Sequence, residues 1–391
     1  MISTNSTIDE LIKNGAAVAL ALSGGKDSSI AALATSRHLD ALGHTGERLL
    51  IHSDLGSIEW TDSINICNKL AERLNLPLVV VRRKAGGMMQ RWLTRWKNNV
   101  ARYTNLLCAK LILPWSTPSM RFCTSELKTA IICRELAQRF KGQTIINVTG
   151  IRRAESKKRE KSELFKPNKL LTKTDGTTGF DWLPIVEMET EDVFLVHRHF
   201  DFPLHEAYTT YKCSRVSCRF CIMSNEADLH ASAACEANQE IYREICELEI
   251  LSAFSFQSSK WLSDVAPHLL TAEQLERLAL AKQIAKERDR LQLQIPKHLL
   301  FVKGKPLPQA IPTFKEAVLL AKIRTEVSRL QNLDSKYLGA FGVINRYTEL
   351  KEANDLKEVE KKEKAAKKAL KTSCAIVEIK TRKEIPDVEG Q

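Results

Sequence analysis

The stretch Ala16–Leu22 (AAVALAL) runs directly into Ser23–Ser28 (SGGKDS). A short run of small and branched apolar residues that stops at Ser-Gly-Gly reads as a buried parallel strand. Gly24 and Gly25 let the backbone turn tightly and come close to an anion. Beyond them, Ser28 to Leu42 carries Ile30, Leu33, Leu39 and Leu42 on a helical pattern. The turn therefore opens a helix, whose free amides and N-terminal partial charge suit a phosphate. Ser23 and Ser28 add hydroxyl donors and Lys26 a point charge. The loop is not of the G-x-x-x-x-G-K-[ST] kind, because Asp27 follows Lys26 and the first glycine is missing.

Working outward, Leu49–His52, Leu76–Val81 and Ile145–Thr149 read as further strands, and Ile58–Leu74, Arg134–Phe140 and Glu189–Phe200 as helices. Strand and helix alternate with short connections, so the expected class is α/β, a parallel twisted sheet with helices on both faces. Asn168–Phe180 is polar and turn-rich and reads as a loop. After about residue 230 the strand signals fade. Glu236–Leu251, Ala272–Leu291 and Phe314–Leu330 read as helices of a helical C-terminal region. The expected organisation is a phosphate-loop domain over 1–230 with cysteines at its end, a helical appendage over 231–350, and a charged, partly disordered tail over 351–391. In that tail, Lys351–Lys371 reads as a charged helix or a disordered segment, and Cys374 lies in a weak strand, TSCAIVEI.

The chain has 391 residues, 43% of them apolar and 27% charged, which excludes a wholly disordered protein. No run of about 18 apolar residues exists, so no membrane partner is expected. The first residues lack the basic start and apolar stretch of a signal peptide, which predicts a cytoplasmic protein whose ten cysteines are thiols or metal ligands. Formal charge is +12, but residues 82–173 alone hold 22 Lys and Arg against 5 Asp and Glu. Such a zone attracts phosphate-bearing partners, either a nucleotide alone or DNA or RNA as well. Trp92 and Trp96, among Arg91, Arg95 and Lys97, are read as core packing or nucleic-acid contact. Phe254, Phe256 and Trp261 are read as packing or base stacking.

The hexapeptide resembles the PP-loop of the adenine nucleotide alpha-hydrolase superfamily, and four further segments narrow the likeness. Ser53-Asp54-Leu55-Gly56 with Glu59-Trp60-Thr61, then Arg121–Lys128 (RFCTSELK), then Gly150–Ser156 (GIRRAES), then Leu183-Pro184-Ile185 with Glu191-Asp192-Val193 are similar to segments of phosphoadenosine phosphosulfate (PAPS) reductases, in the family's order. The resemblance implies ATP, or an adenine sulfonucleotide, bound with Mg2+ and cleaved between the α and β phosphates. Ser23, Gly24, Gly25, Lys26, Asp27 and Ser28 would cradle the phosphates. Asp54 would face ribose, adenine or metal. Gly150, Arg152 and Ser156 would complete the nucleotide site, with Arg152 offering a planar fork to phosphate or sulfate oxygens. Lys26, Asp27 and Asp54 are the candidate catalytic residues.

Cys213, Cys218 and Cys221 form a tight cluster, and a C-x-x-C pair brings two thiolates onto one ion without strain. Cys123 is the expected fourth ligand, with His205 as an alternative. Iron–sulfur sulfonucleotide reductases and DNA phosphorothioation PP-loop proteins, which this segment resembles, carry a four-iron cluster. The expected centre is [4Fe-4S], with structural Zn2+ or free thiols as alternatives. Cys67, Cys108, Cys133 and Cys246 read as small buried side chains.

Thioredoxin-coupled reductases of this family use a cysteine in an E-C-G-x-H segment, and none occurs here: Cys374 precedes Ala375 and Ile376. The expected function is therefore an ATP pyrophosphatase that adenylates a substrate in sulfur transfer or nucleic-acid modification, with a sulfur-donor protein of the cysteine desulfurase type as partner. The alternatives are a sulfonucleotide reductase of sulfate assimilation and a nucleotide-gated binding protein without turnover.

Overall fold

The computed structural model describes residues 2–302, 304–305 and 307–383. Its strands are β1 (Ala17–Leu22), β2 (Arg48–Asp54), β3 (Leu78–Arg82), β4 (Thr144–Val148), β5 (Phe165–Pro167) and β6 (Thr178–Trp182). Its α-helices are α1 (Ser6–Lys13), α2 (Lys26–Ala41), α3 (Thr61–Leu74), α4 (Met88–Thr104), α5 (Phe122–Thr124), α6 (Ala130–Arg139), α7 (Thr190–Phe200), α8 (Glu206–Thr209), α9 (Glu226–Ala234), α10 (Gln239–Ser252), α11 (Ala272–Leu293), α12 (Phe314–Leu330) and α13 (Ala340–Lys383).

The sheet order is β3-β2-β1-β4-β6-β5. Every pairing is parallel except β5 with β6. β1 is central, and its side chains divide between two cores. Val18, Leu20 and Leu22 pack with Ile30, Leu33 and Val193 from α2 and α7. Ala17 and Ala19 pack with Leu136 and Phe140 at α6. Both faces are thus covered, as a near-continuous apolar strand requires. A fully buried Leu or Ile contributes about 1.5–3 kcal/mol of transfer free energy. The chain reverses direction across the sheet at β1, so the crevice between the carboxyl ends of β1 and β4 is where a ligand belongs in this topology.

The loop expected over Asn168–Phe180 is only partly a loop, since β6 begins at Thr178. Its TGFDW sequence carries a glycine and an aspartate that lower strand propensity, but Gly179 is needed. A Cβ there would meet the Leu171 side chain at 2.0 Å. Asp181 accepts from Asn147 and Asn168, each at 2.8 Å, which anchors the strand from both sides. Cys374 lies in α13, so the weak tail strand is helix instead. Residues 384–391 of the expected tail lie outside the described residues.

Two compact units are formed, one from 1–96 and 113–282, the other from 97–112 and 283–391. In the second unit, Arg324 on α12 is fully buried. Its guanidinium donates to the carbonyls of Tyr103 at 2.9 Å, Lys336 at 2.7 Å and Thr104 at 3.3 Å, and lies 4.8 Å from the Tyr103 ring centre. In the first unit, Glu249 on α10 is likewise fully buried. One carboxylate oxygen accepts from the amides of Phe256 and Leu262, the other from the amide and hydroxyl of Ser263. That carboxylate holds the irregular 253–263 segment closed. No helix among the described residues is long and apolar enough to cross a membrane.

Candidate functional site

The loop Ser23–Ser28 leaves the carboxyl end of β1 and enters α2 with Gly25 as its N-cap. A glycine cap brings no side-chain acceptor, so the amides of the first turn stay available to an anion. Gly24 has φ +73°, and a Cβ on it would approach the Ser63 backbone at 2.7 Å. The loop is therefore pressed onto the start of α3. Its curl is fixed internally: the Ser23 amide donates to Ser28 Oγ at 3.2 Å, and Ser28 Oγ donates to the Gly25 carbonyl at 2.9 Å. At the end of β4, Gly150 backs against the same turn, where a Cβ would meet the Asp27 carbonyl at 2.5 Å.

Asp27 joins the two strand ends. Its Oδ1 accepts from Arg152 Nε at 2.6 Å and its Oδ2 from Lys26 Nζ at 3.2 Å. Lys26 and Arg152 are buried, at 4% and 2% exposure. Arg152 is oriented further by Nη1 donation to the Met188 carbonyl at 3.2 Å. Lys26 Nζ lies 5.3 Å from the Tyr208 ring centre and 5.6 Å from that of Phe194. Ser156, expected at this site, is exposed at the end of the short turn Arg153–Glu155.

Asp54 ends β2 and accepts from the Gly56 amide at 2.6 Å and from Arg82 Nε at 2.9 Å. Burial acts to raise the Asp54 carboxyl, but Arg82 and the Gly56 amide outweigh it and hold it below the usual carboxylate range. Arg82 itself is exposed. On the same strand, His52 is buried with Nδ1 3.1 Å from the Leu22 carbonyl and Nε2 3.1 Å from Glu59 Oε2.

Of the four expected metal-binding cysteines, Cys123, Cys218 and Cys221 are half-buried and Cys213 is buried. Burial pushes the Cys218 thiol up to about 12, Lys128 opposes that, and Cys221, Glu59 and Cys123 add to it. The Met223 amide points at Cys221 Sγ at 3.4 Å. The backbone turns through Lys212 at φ +58°, the Cys213 amide bonds the Ala207 carbonyl at 2.7 Å, and Ser214 is clamped by Asp228. The Cys213 side chain consequently packs with Trp60, Ala207 and Cys235. Burial, then Asp228, push its thiol up to about 11. His205, the alternative ligand, is occupied: its Nδ1 accepts from the Ala207 amide at 3.0 Å, so its proton is on Nε2, facing Ser63 Oγ at 3.2 Å. Among the described residues, no three His, Cys, Asp or Glu side chains are grouped tightly enough to hold an ion as they stand.

Cys123 is followed by a π-helical turn, Ser125–Thr129. Ser53 Oγ donates to the Leu127 carbonyl at 2.5 Å, and such an inserted side chain is a recognised cause of a local departure from α-geometry. Phe122 is buried beneath the guanidiniums of Arg91 and Arg95, 4.5 and 5.0 Å from its ring centre.

Several residues at the site carried no sequence signal. Val216 and the Tyr208 hydroxyl cover the phosphate loop: a Cβ on Gly25 would meet them at 3.5 and 3.7 Å. The Val216 amide donates to that hydroxyl at 3.1 Å. The cysteine segment thus lies over the phosphate loop, which neither motif reveals alone. Trp92 and Trp96 are core residues, packed edge-on against Phe256 and Phe254 respectively.

The family model for the phosphoadenosine phosphosulfate reductase domain matches residues 17–224. Among solved structures, a PAPS reductase from Candida auris in a phosphate complex is 10% identical. The alignment covers 56% of this chain and 97% of that one, with a TM-score of 0.33. The U34-tRNA thiolase NcsA from Methanococcus maripaludis, with its [4Fe-4S] cluster, is 14% identical over 74% of this chain and 80% of that one, with a TM-score of 0.34. No curated protein matches.

Proposed function

The chain belongs to the phosphoadenosine phosphosulfate reductase domain family, and from that premise we propose that it binds ATP at Ser23–Ser28 and cleaves the α–β phosphate bond to activate a substrate for sulfur transfer. The observation that carries this reading is the Lys26–Asp27–Arg152 triplet at the crevice between β1 and β4. A carboxylate held between a buried lysine and a buried arginine occupies the electrostatic place of a phosphate. When nucleotide phosphates enter, Lys26 and Arg152 transfer their donors to phosphate oxygens, and the first amides of α2 complete the cradle. Charge that develops on departing pyrophosphate then meets fixed cations in a water-poor site. Asp27 and Asp54 suit Mg2+, which takes one or two carboxylates together with substrate phosphates and supplies charge neutralisation. Asp54 becomes free for metal or ribose when Arg82 releases it.

Cys123, Cys218 and Cys221 are the proposed ligands of a [4Fe-4S] cluster. Three thiols suit a cluster with one iron left open, whereas a structural zinc site closes with four protein ligands. The Cys213 side chain packs with Trp60, Ala207 and Cys235, and His205 Nδ1 accepts from the Ala207 amide. A cluster held by these thiols would supply the chemistry for binding and passing on sulfur. The sulfur would come from a donor protein of the cysteine desulfurase type.

The second reading, sulfonucleotide reduction, is favoured by the family match and opposed by the missing E-C-G-x-H segment. Anaerobically purified protein, assayed for pyrophosphate from ATP and for sulfite from a sulfonucleotide with thioredoxin, separates the two. Pyrophosphate release with RNA or DNA present, lost at least 100-fold in Arg152→Ala, supports the first reading. Sulfite release alone overturns it, and ATP binding with neither product leaves a nucleotide-gated binding protein. About four iron and four sulfide per chain, lost in Cys218→Ser/Cys221→Ser, is expected for the cluster, and zinc without sulfide would refute it.

A further inference from the structure

Away from the phosphate loop, the first unit has a groove of about 530 Å³ between α6 and the segment that leads into β6. Arg134, Lys141 and Lys173 line it, over a floor that includes Ala137 and Cys133. Among the described residues, none of these three cations has a carboxylate within ion-pair distance. Most neighbouring arginines of the basic zone are paired: Arg82 with Asp54, Arg91 with Glu126, Arg139 with Glu135, Arg152 with Asp27, Arg153 with Glu187 and Arg159 with Glu155. Asp175, the one acid in the groove, accepts the amide and hydroxyl of Thr177 through Oδ1, and these bonds, with Lys141 nearby, hold its carboxyl below the usual range. Leu170 is half exposed at the rim. Cys133 at the floor is not a reactive thiol. Burial, then Asp181, push it up to about 11, and the Asn168 amide donates to its sulfur at 3.7 Å.

We propose that this groove binds the sugar–phosphate backbone of a nucleic acid. Arg134 and Lys141 stand seven positions apart along α6 and the turn that ends it, a separation of about 10 Å at 1.5 Å per residue. Lys173, on the segment before β6, also lines the groove and donates its Nζ to the Leu170 carbonyl at 2.5 Å. A single phosphate cannot span such an array, whereas a polymer with regularly spaced phosphates meets all three cations at once. The apolar floor and Leu170 suit the sugar faces of that polymer. The inference rests on the proposed function only in giving its acceptor a chemical class, because binding is measured apart from turnover.

The test is fluorescence anisotropy with a labelled 20-nucleotide single-stranded RNA and a 20-base-pair DNA duplex, from about 50 to 300 mM KCl. The full-length protein is compared with Arg134→Glu/Lys141→Glu/Lys173→Glu, with the corresponding Gln triple, and with a control of equal charge change at exposed sites, Lys13→Glu/Lys69→Glu/Lys286→Glu. The groove variants are expected to bind at least tenfold more weakly near 100 mM salt. Their log Kd against log salt slope should fall by about 2–3, since each lost phosphate contact is worth roughly 0.7–0.9. The control should lose less than about threefold, as expected of a long-range charge effect alone. ATP affinity and the urea midpoint, read on the same samples, should be unchanged in the Gln triple. Equal losses in groove and control variants would overturn the proposal. So would a wild-type protein that binds neither nucleic acid, or one that prefers a poly-glutamate peptide. Loss of pyrophosphate release with nucleic-acid binding intact would count against the proposed function instead.

Discussion

His52 faces a hydrogen-bond acceptor with each ring nitrogen, the Leu22 carbonyl on one side and Glu59 on the other. Both nitrogens can donate only if the ring is an imidazolium. Burial acts to lower its pKa, but Cys67 and Glu59 overcome this and raise it to about 10. A folded value above the ordinary value of 6.5 means that protonation favours the fold. The contribution is fully present below about pH 6.5 and is lost as pH climbs through about 10. Urea unfolding at pH 6, 8 and 10 should therefore show falling stability, and Glu59→Gln should flatten that fall. A decline just as steep in the variant would show that the pair is not its source. Residues of this kind separate what was legible from what was not. Ser23–Ser28 could be read because a strand, a glycine turn and a helix start are consecutive in the chain. Glu59 lay inside a recognised segment, but its pairing with His52 did not show. Tyr208 and Val216 gave no signal, since their contact with Gly25 is set by the return of the chain some 190 residues later.

The phosphate loop tolerates no side chain at Gly24, and two separable costs explain why. One is the left-handed backbone, φ +73°, and the other is the approach to Ser63 at 2.7 Å. Gly43, at φ +67° with nothing within 4 Å of a Cβ, bears the first cost alone. Gly43→Ala should cost about 1–2 kcal/mol. Gly24→Ala should cost about 1–3 kcal/mol more through the displaced backbone of α3, and should weaken ATP binding at least tenfold. Paired urea midpoints and ATP titrations check this, and equal costs in the two variants would refute it. Glu249 makes a comparable demand on the segment after α10. In Glu249→Gln, one side of the amide must present N–H groups to donors, so a buried donor loses its partner at about 1–3 kcal/mol. Element type was legible where periodicity was strong, as in β1, α3 and α12. It failed at β6, where Gly179 and Asp181 mimic a turn but serve close packing and a buried hydrogen-bond junction.

The α/β class and the helical C-terminal region were legible from the order of apolar runs across the whole molecule, because a parallel sheet is written as alternation. The division of the compact units was not, since a unit assembled from 97–112 and 283–391 leaves no local mark. Arg324 holds carbonyls of both segments of that unit. Arg324→Ala should strand those carbonyls and open a cavity, at about 2–4 kcal/mol. Hydrogen exchange should then quicken in 97–112 and 314–330 while the amides of β1 and β4 keep their protection. Uniform loss of protection would show that the two units unfold as one.

The discontinuous second unit also sets an order of events on the ribosome. Tyr103 and Arg324 are 221 positions apart. At roughly 5–20 residues per second, the segment around Tyr103 waits about 10–45 s for its partner to emerge. During that interval Tyr103, Leu106 and Cys108, all buried in the finished chain, have no core to enter. The nascent protein thus carries an uncovered apolar segment while the intervening residues are made, and its yield should depend on how well the cell shields that segment until α12 appears.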